Sequence, residues 1–286
     1  MNKISETDLI LNPDGSVYHL NLLPEDIGNT IFTVGDPERV KEVSKHFDSV
    51  ELRKSKREFV THTGVLRGQR VSVISTGIGT DNIDIVLNEL DALVNIDLHK
   101  RIVKDELTSL NIIRLGTSGS IREDVPVGTI LASTHGLGLD SLMNFYHRKL
   151  TGDELLLENN LNNYFENEDL IPYITACNGK LLDKLCFDLE KGITVSAPGF
   201  YAPQGRNVRA KGSLPQLMEK LKRYEFENHV ITNIEMETAG IYALANTLGH
   251  KAVSVNAIVA DRLKGKFASN PQQVINKMIE TVLSRV

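Results

Sequence analysis

The apolar positions of this chain follow two alternating rhythms, short aliphatic runs and longer stretches spaced at three and four residues. Thr30-Ile-Phe-Thr-Val34 predicts a buried strand. It runs into Gly35-Asp-Pro-Glu-Arg39, where Asp36 suits a helix cap, Pro37 suits the first helical position, and Val40, Val43 and Phe47 supply an apolar stripe. Residues 58–66 and 70–76 read as two strands joined at Arg67-Gly68-Gln69 in a hairpin. Ile83, Val86, Leu87, Leu90, Leu93 and Val94 recur at helical spacing and predict a helix over 81–98. Residues 99–109 are charged and read as a surface connection. Residues 111–115 predict a strand that Gly116, Thr117, Ser118, Gly119 and Ser120 then interrupt.

Strands are also expected at 128–133, 192–196 and 252–259, and a helix at 181–189. The Asp/Glu/Asn-rich segment 151–172 reads as a surface excursion with one helical turn at most. Asn233 is placed as the cap of a helix that buries Ile241, Leu244, Ala245 and Leu248. Val274, Ile275, Met278, Ile279, Val282 and Leu283 make a closing amphipathic helix. With no internal repeat and no linker, the pattern is that of one α/β domain over residues 1–286.

Composition narrows the function classes. The net charge is −5 and the lysines and arginines form no basic run, which argues against nucleic acid as the partner. The start lacks an apolar signal core, and no apolar run approaches the roughly 20 residues of a membrane span, so a cytoplasmic protein is expected. Cys177 and Cys186 are too few for a disulfide framework and lack zinc-site spacing, so no metal site is expected from them.

Candidate chemistry sits where strands end. Arg114, near the end of a central strand, needs an anionic partner when buried, either a carboxylate of the chain or a bound anion. Hydroxyls and backbone N–H groups follow it at once, and these suit phosphate oxygens. Gly35 and Arg39 at the first strand–helix junction make a second anion-binding candidate, against a plain capped turn. Gly77-Ile-Gly79 begins like a dinucleotide fingerprint, but Asn82 stands at the third glycine and the match is rejected. The loop 198–207 combines Phe200 and Tyr201 with Gln204 and Arg206, a mix suited to a polar heterocycle. Glu235 and Glu237 either serve a helix dipole or accept hydrogen bonds from the vicinal hydroxyls of a sugar. His19 alone reads as a surface histidine.

Together these stretches resemble the nucleoside phosphorylase superfamily, and within it the uridine phosphorylases, from about Tyr18 to Arg262. The carrying residues are Gly35-Asp-Pro-Glu-Arg-Val40, Arg57-Glu-Phe59, Ser75-Thr-Gly-Ile-Gly79, Arg114-Leu-Gly-Thr-Ser-Gly119, Phe200 through Arg206, and Glu235-Met-Glu-Thr238. The resemblance implies a mixed central sheet closing toward a barrel and surrounded by helices. It implies phosphate held by Gly35, Arg39, Arg114 and Thr117, with Arg57 supplied by a neighbouring subunit. Ribose would lie on Thr117, Met236 and Glu237, with the neighbour's His19 on the 5′ hydroxyl, and uracil on Phe200, Gln204 and Arg206. Arg114, Glu237 and Arg206 would carry the catalysis: phosphate-dependent, reversible cleavage of uridine to uracil and ribose 1-phosphate. The implied partners are the nucleoside, phosphate as co-substrate and further copies of the chain, in dimers assembling to a hexamer. No cofactor is required. Some relatives hold a potassium ion at the dimer interface; Glu58 and Ile78 match that pattern, Asn82 replaces the usual serine, and the ion stays open.

Asp261 departs from the uridine type. Purine-cleaving relatives place an aspartate there to protonate the base, while Arg262 and the Gln204-x-Arg206 pair agree with the uridine type. The rival readings are a purine nucleoside phosphorylase, a water-using nucleosidase and a non-catalytic nucleoside-binding protein. The joint presence of Arg39, Arg57, Arg114 and Glu237 speaks against the last two.

Overall fold

The computed structural model describes residues 3–166 and 170–286. In chain order its elements are β1 (Thr30–Val34), α1 (Pro37–Ser44), β2 (Ser49–Lys56), β3 (Phe59–Leu66), β4 (Gln69–Ser75), α2 (Thr80–Asn95), β5 (Ile96–Asp97), β6 (Ile102–Val103), β7 (Asn111–Ser120) and β8 (Ile130–Gly138). There follow α3 (Gly152–Phe165), β9 (Tyr173–Ala176), α4 (Gly179–Leu185), β10 (Glu190–Ser196), α5 (Leu217–Arg223), β11 (Glu225–Phe226) and β12 (His229–Glu235). The chain ends with α6 (Thr238–Leu248), β13 (Lys251–Asp261), β14 (Lys266–Phe267) and α7 (Pro271–Leu283). No helix among the described residues is long and apolar enough to cross a membrane.

Strand β7 organises the sheet. It pairs in parallel with β13 from Asn111↔Lys251 to Ser120↔Asp261. On its other side it pairs with β1 only from Thr30↔Asn111 to Thr33↔Arg114, and then antiparallel with β12 at Gly119↔Ile234 and Ser120↔Asn233. That second pairing closes the ring β7-β13-β8-β10-β12 into a five-stranded barrel, while β1, β4, β3 and β2 continue as an open wing. The strands fork at Arg114, and ligand clefts of α/β sheets open where neighbouring strands part.

Both faces of β1 and of the half of β7 paired with it are covered, so these strands are buried at successive positions, whereas the edge strand β2 alternates exposed and half-buried residues. Ile31 and Ile112 pack with Ile83, Leu87 and Leu90 of α2 and Tyr242 of α6. Their neighbours Phe32 and Ile113 face the other way, onto Val40 of α1 and Met278 and Ile279 of α7. Asp36 caps α1 by accepting from the Glu38 N–H, as its position before Pro37 implies.

Four sequence expectations are corrected. Residues 116–120 do not interrupt β7 but continue it, because β13 pairs along all five and β12 joins from the other side at Gly119 and Ser120. Within 151–172, residues 152–165 form a full helix that packs on β9 and buries Leu157, Leu161 and Phe165 in one cluster with Ile174, Ile193 and Ile231; residues 167–169 lie outside the described ones. A reciprocal capping box starts α3: Thr151 Oγ1 accepts from the Glu154 N–H at 3.2 Å, and Glu154 Oε2 accepts from the Thr151 N–H at 2.8 Å. Asn233 caps nothing. It lies in β12, where its amide donates to Ser118 Oγ at 2.8 Å and its carbonyl accepts from Thr194 Oγ1 at 2.8 Å. Finally, residues 99–109 are not a plain connection, since β6 pairs back onto β5.

Candidate active site

The fork in the sheet opens into a cleft of about 730 Å³. One wall is the junction after β1, with Gly35 and Arg39; the other is the rim of the barrel, with Arg114, Thr117, Met236 and Glu237. Phe200, Gln204 and Arg206, from the loop after β10, line the same space. Nine of the residues singled out from the sequence therefore meet in one cavity. His19 and Arg57 do not line it. Glu58, Ile78 and Asn82 do, so the residues matched to a cation pattern face the same cleft.

Arg114 is only 5 % exposed, and its anionic partners in the structure are two carboxylates of the chain. Its Nη2 lies 2.7 Å from Glu235 Oε2 and 2.6 Å from Glu237 Oε2. Its Nη1 donates to Asn256 Oδ1 at 3.0 Å. Burial, the largest influence on this guanidinium, opposes its charge, but Glu235 and Glu237 outweigh it and the pKa is raised. Room for the head group comes from the strand itself. Gly116 stands two residues on, on the same face, and a Cβ there would lie 1.8 Å from Arg114 Nη1.

The two glutamates have different tasks. Glu235 ends β12 and is bound on every side: it accepts from Ser196 Oγ at 2.6 Å, from the Glu237 N–H at 3.0 Å and from the Thr238 N–H at 3.1 Å. From the end of β12 it thus satisfies the first N–H groups of α6, whose N-cap residue Glu237 makes no side-chain cap bond, and it is a structural counter-charge to Arg114. Its neighbour Glu237 turns into the cleft, where it meets Arg114 and accepts from the Gly79 N–H at 2.8 Å. That N–H is delivered by a backbone with φ of +94°, a conformation that glycine adopts freely. Burial foremost pushes the pKa of Glu237 up, Glu235 adds to this, and Arg114 and the Gly79 N–H oppose it. On the far side of the fork, burial pushes the pKa of Arg39 down, and Arg114 adds to that.

The loop after β10 is pre-arranged. The Arg206 guanidinium lies 3.7 Å over the centre of the Phe200 ring and donates to the Phe200 carbonyl at 2.6 Å. It also donates to Gln204 Oε1 at 2.5 Å. Arginine has no acceptor, so this contact fixes which end of the Gln204 amide is which and leaves the Gln204 NH₂ for another partner. Burial and then Arg262 push the pKa of Arg206 down to about 10, so the group stays charged at neutral pH. Arg262 braces the loop from behind by donating to the Gln204 carbonyl at 2.7 Å. Asp261 is not among the residues lining the cleft; its Oδ1 accepts from the N–H groups of Leu263 and Lys264, both at 2.9 Å, and holds the turn after β13.

Reasoning from sequence did not assign Glu235 its contact with Arg114, nor find Asn256, Gly116 or Phe267, which also lines the cleft. For Gly116 a signal existed: a glycine two residues after a buried arginine on the same strand.

Comparison with known proteins places this geometry. The model of the phosphorylase superfamily matches residues 29–284. The chain is 30% identical over 254 residues to a uridine phosphorylase of Thermococcus kodakarensis, covering 89% of this chain and 80% of that one. It is equally, 30%, identical to a DeoD-type purine nucleoside phosphorylase of Bacillus velezensis, covering 94% of this chain and 98% of that one. Among solved structures it superimposes on a Trypanosoma brucei nucleoside phosphorylase, described as showing uridine phosphorylase activity, with a TM-score of 0.87 and 29% identity, over 98% of this chain and 100% of that one.

Proposed function

The chain belongs to the phosphorylase superfamily, and on that premise we propose that it cleaves uridine with phosphate, reversibly, to uracil and ribose 1-phosphate. The observation that carries the reading is the pairing, in one cleft, of an Arg114–Glu237 contact with a Gln204–Arg206 unit fixed over Phe200. The first offers a cation for phosphate beside a carboxylate for vicinal hydroxyls. The second offers an amide donor and acceptor and a guanidinium to the acceptor–donor–acceptor edge of uracil.

In this reading Arg39 and Arg114, with Gly35 and Thr117, hold phosphate near C1′ of a ribose seated on Met236 and Glu237. A phosphate oxygen bonds to C1′ as the C1′–N1 bond breaks and its electron pair leaves on uracil; the phosphate proton ends on N1 of the base. Positive charge on the sugar is met by phosphate and Glu237, and negative charge on the base by Arg206 and Gln204. Positioning supplies most of the acceleration, and no general acid is needed.

Charge supports a second copy at the site. Arg114 is already paired with Glu235 and Glu237, so with Arg39 the formal charges of these four groups cancel and a phosphate dianion needs a further cation. Arg57, outside its own chain's cleft, is the candidate when donated across a dimer interface, with His19 beside it for the 5′ hydroxyl. A purine nucleoside phosphorylase is the second reading, favoured by the DeoD-type relatives and by Asp261. The turn-holding bonds of Asp261 speak against it.

The test is release of free base from uridine and from inosine, each with and without phosphate. Uracil release that requires phosphate, with inosine untouched, is expected. Inosine cleavage transfers the base assignment to the purine reading, and tight nucleoside binding without release removes the enzyme altogether.

A further inference from the structure

His19 lies outside the cleft of its own chain, yet its ring is held with care. Glu89 of α2 is buried, with a side chain 10 % exposed, and a buried carboxylate is costly unless fully partnered. It accepts from the His19 N–H at 3.0 Å and from the Leu20 N–H at 2.8 Å, and those two bonds already tether the segment. A third contact does something more: His19 Nδ1 lies 2.6 Å from Glu89 Oε1. A carboxylate only accepts, so Nδ1 carries the proton and Nε2 is the nitrogen left to face outward. The Tyr18 ring meets His19 edge to face at 4.9 Å and packs against one side of the imidazole.

The same tyrosine gathers the other residue that its own cleft does not use. Lys56 Nζ lies 4.3 Å from the centre of the Tyr18 ring and donates to the Tyr18 carbonyl at 2.5 Å, and the Arg57 guanidinium stands 5.8 Å from that ring. Arg57 has a φ of +56°, in the left-handed region that non-glycine residues seldom adopt, at the turn between β2 and β3. Side chains 38 positions apart are thereby collected on one face, and neither lines the cleft of its own chain.

We infer that Glu89 is the positioning residue for His19: it locks the ring with Nδ1 inward and presents Nε2 to the ribose 5′ hydroxyl in the cleft of a second copy. The inference rests on the shared nucleoside site proposed above and adds to it a residue that touches no substrate. Carboxylate–imidazole pairs of this kind fix tautomer and ring orientation wherever the second nitrogen has work to do.

The test compares uridine with 5′-deoxyuridine, which lacks the hydroxyl, in the intact protein and in His19→Ala, Glu89→Gln and the double variant. Each single variant should lower the ratio of kcat/KM for uridine over 5′-deoxyuridine by about tenfold, the scale of one hydrogen bond lost, carried mainly in KM. The double variant should lower it no further. Equal losses on both substrates in Glu89→Gln would mean a merely structural glutamate and overturn the inference, as would a ratio that falls in His19→Ala but not in Glu89→Gln; in both cases the shared site stands. A ratio unmoved by His19→Ala removes the shared site itself, and the inference with it. Should Glu89→Gln fail to fold, ¹⁵N resonances of the His19 ring in the unaltered protein decide: a proton on Nδ1 is expected, and a bare Nδ1 with the proton on Nε2 overturns it.

Discussion

Replacing Arg114 by alanine separates its two jobs. The guanidinium is 5 % exposed and sits 2.7 and 2.6 Å from two carboxylates. Its removal strands buried negative charge, which costs about 3–5 kcal/mol of folding stability. It also leaves Asn256 Oδ1 without its 3.0 Å donor, about 1 kcal/mol more. If Arg114 holds phosphate as proposed, the catalytic loss is that of a preorganised charge and should be roughly a hundredfold or more in kcat/KM. The stability deficit should depend on pH with a definite sign. Glu237 already has a pKa above its ordinary 4.5, and Arg114 is one of the influences holding it down, so the variant's value rises further. A carboxyl with a raised folded-state pKa takes up a proton in the folded chain before the unfolded one. The stabilisation that this proton brings is complete below about 4.5 and is lost as pH rises through the folded value. The deficit relative to the parent should therefore be smaller in mild acid than at pH 8. Urea melts at several pH values and phosphate-dependent uracil release measure the two effects. Turnover within tenfold of the parent, or a stability deficit of the same size at every pH, refutes the assignment.

Gly116→Ala should act as a milder Arg114 variant, because its Cβ would fall 1.8 Å from Nη1 of a head group pinned by two carboxylates; a ten- to hundredfold loss in kcat/KM is expected on the scale of a misplaced catalytic charge, with phosphate KM rising. Asp261→Asn should change uridine turnover less than threefold, since an asparagine oxygen can still accept from Leu263 and Lys264, and steady-state kinetics with uridine and inosine will show any purine activity that depends on it. Leu161→Ala should cost about 2–5 kcal/mol in urea unfolding, because this residue of α3 is fully buried; a surface excursion would lose less than ~0.5 kcal/mol.

The elements that announced themselves were those whose period matched one clear environment. Helix α2, with Ile83, Leu87 and Leu90 on one stripe, and the hairpin of β3 and β4 are of this kind. Helix α3 hid because its polar face is rich in Asp, Glu and Asn, and because Leu155 and Leu156 are exposed and blur the stripe of Leu157, Leu161 and Phe165. The end of β7 hid for the opposite reason. Glycine, serine and threonine are turn formers in isolation, and only the two flanking strands of a closing ring make them a strand. In the site, the residues facing the cleft carried their chemistry on the surface of the sequence. Glu235 was harder to place, since a carboxylate at a helix start looks the same whether it caps the helix or also balances an arginine 121 positions away.

Barrel closure through β12 and β7 divides the cleft into parts of different permanence. Arg114, Glu235 and Glu237 belong to strands and a helix start bound into the ring, so their spacing is set by the fold itself. Phe200, Gln204 and Arg206 belong to a loop whose internal bonds are largely its own, with Arg262 as its brace. On the proposed roles, a lineage built on this scaffold can exchange the base it accepts by rewriting some ten residues of loop, while the groups proposed for sugar and phosphate stay in place. Relatives named for pyrimidine and for purine nucleosides, at the same 30% identity to this chain, are what such a division of labour would leave behind.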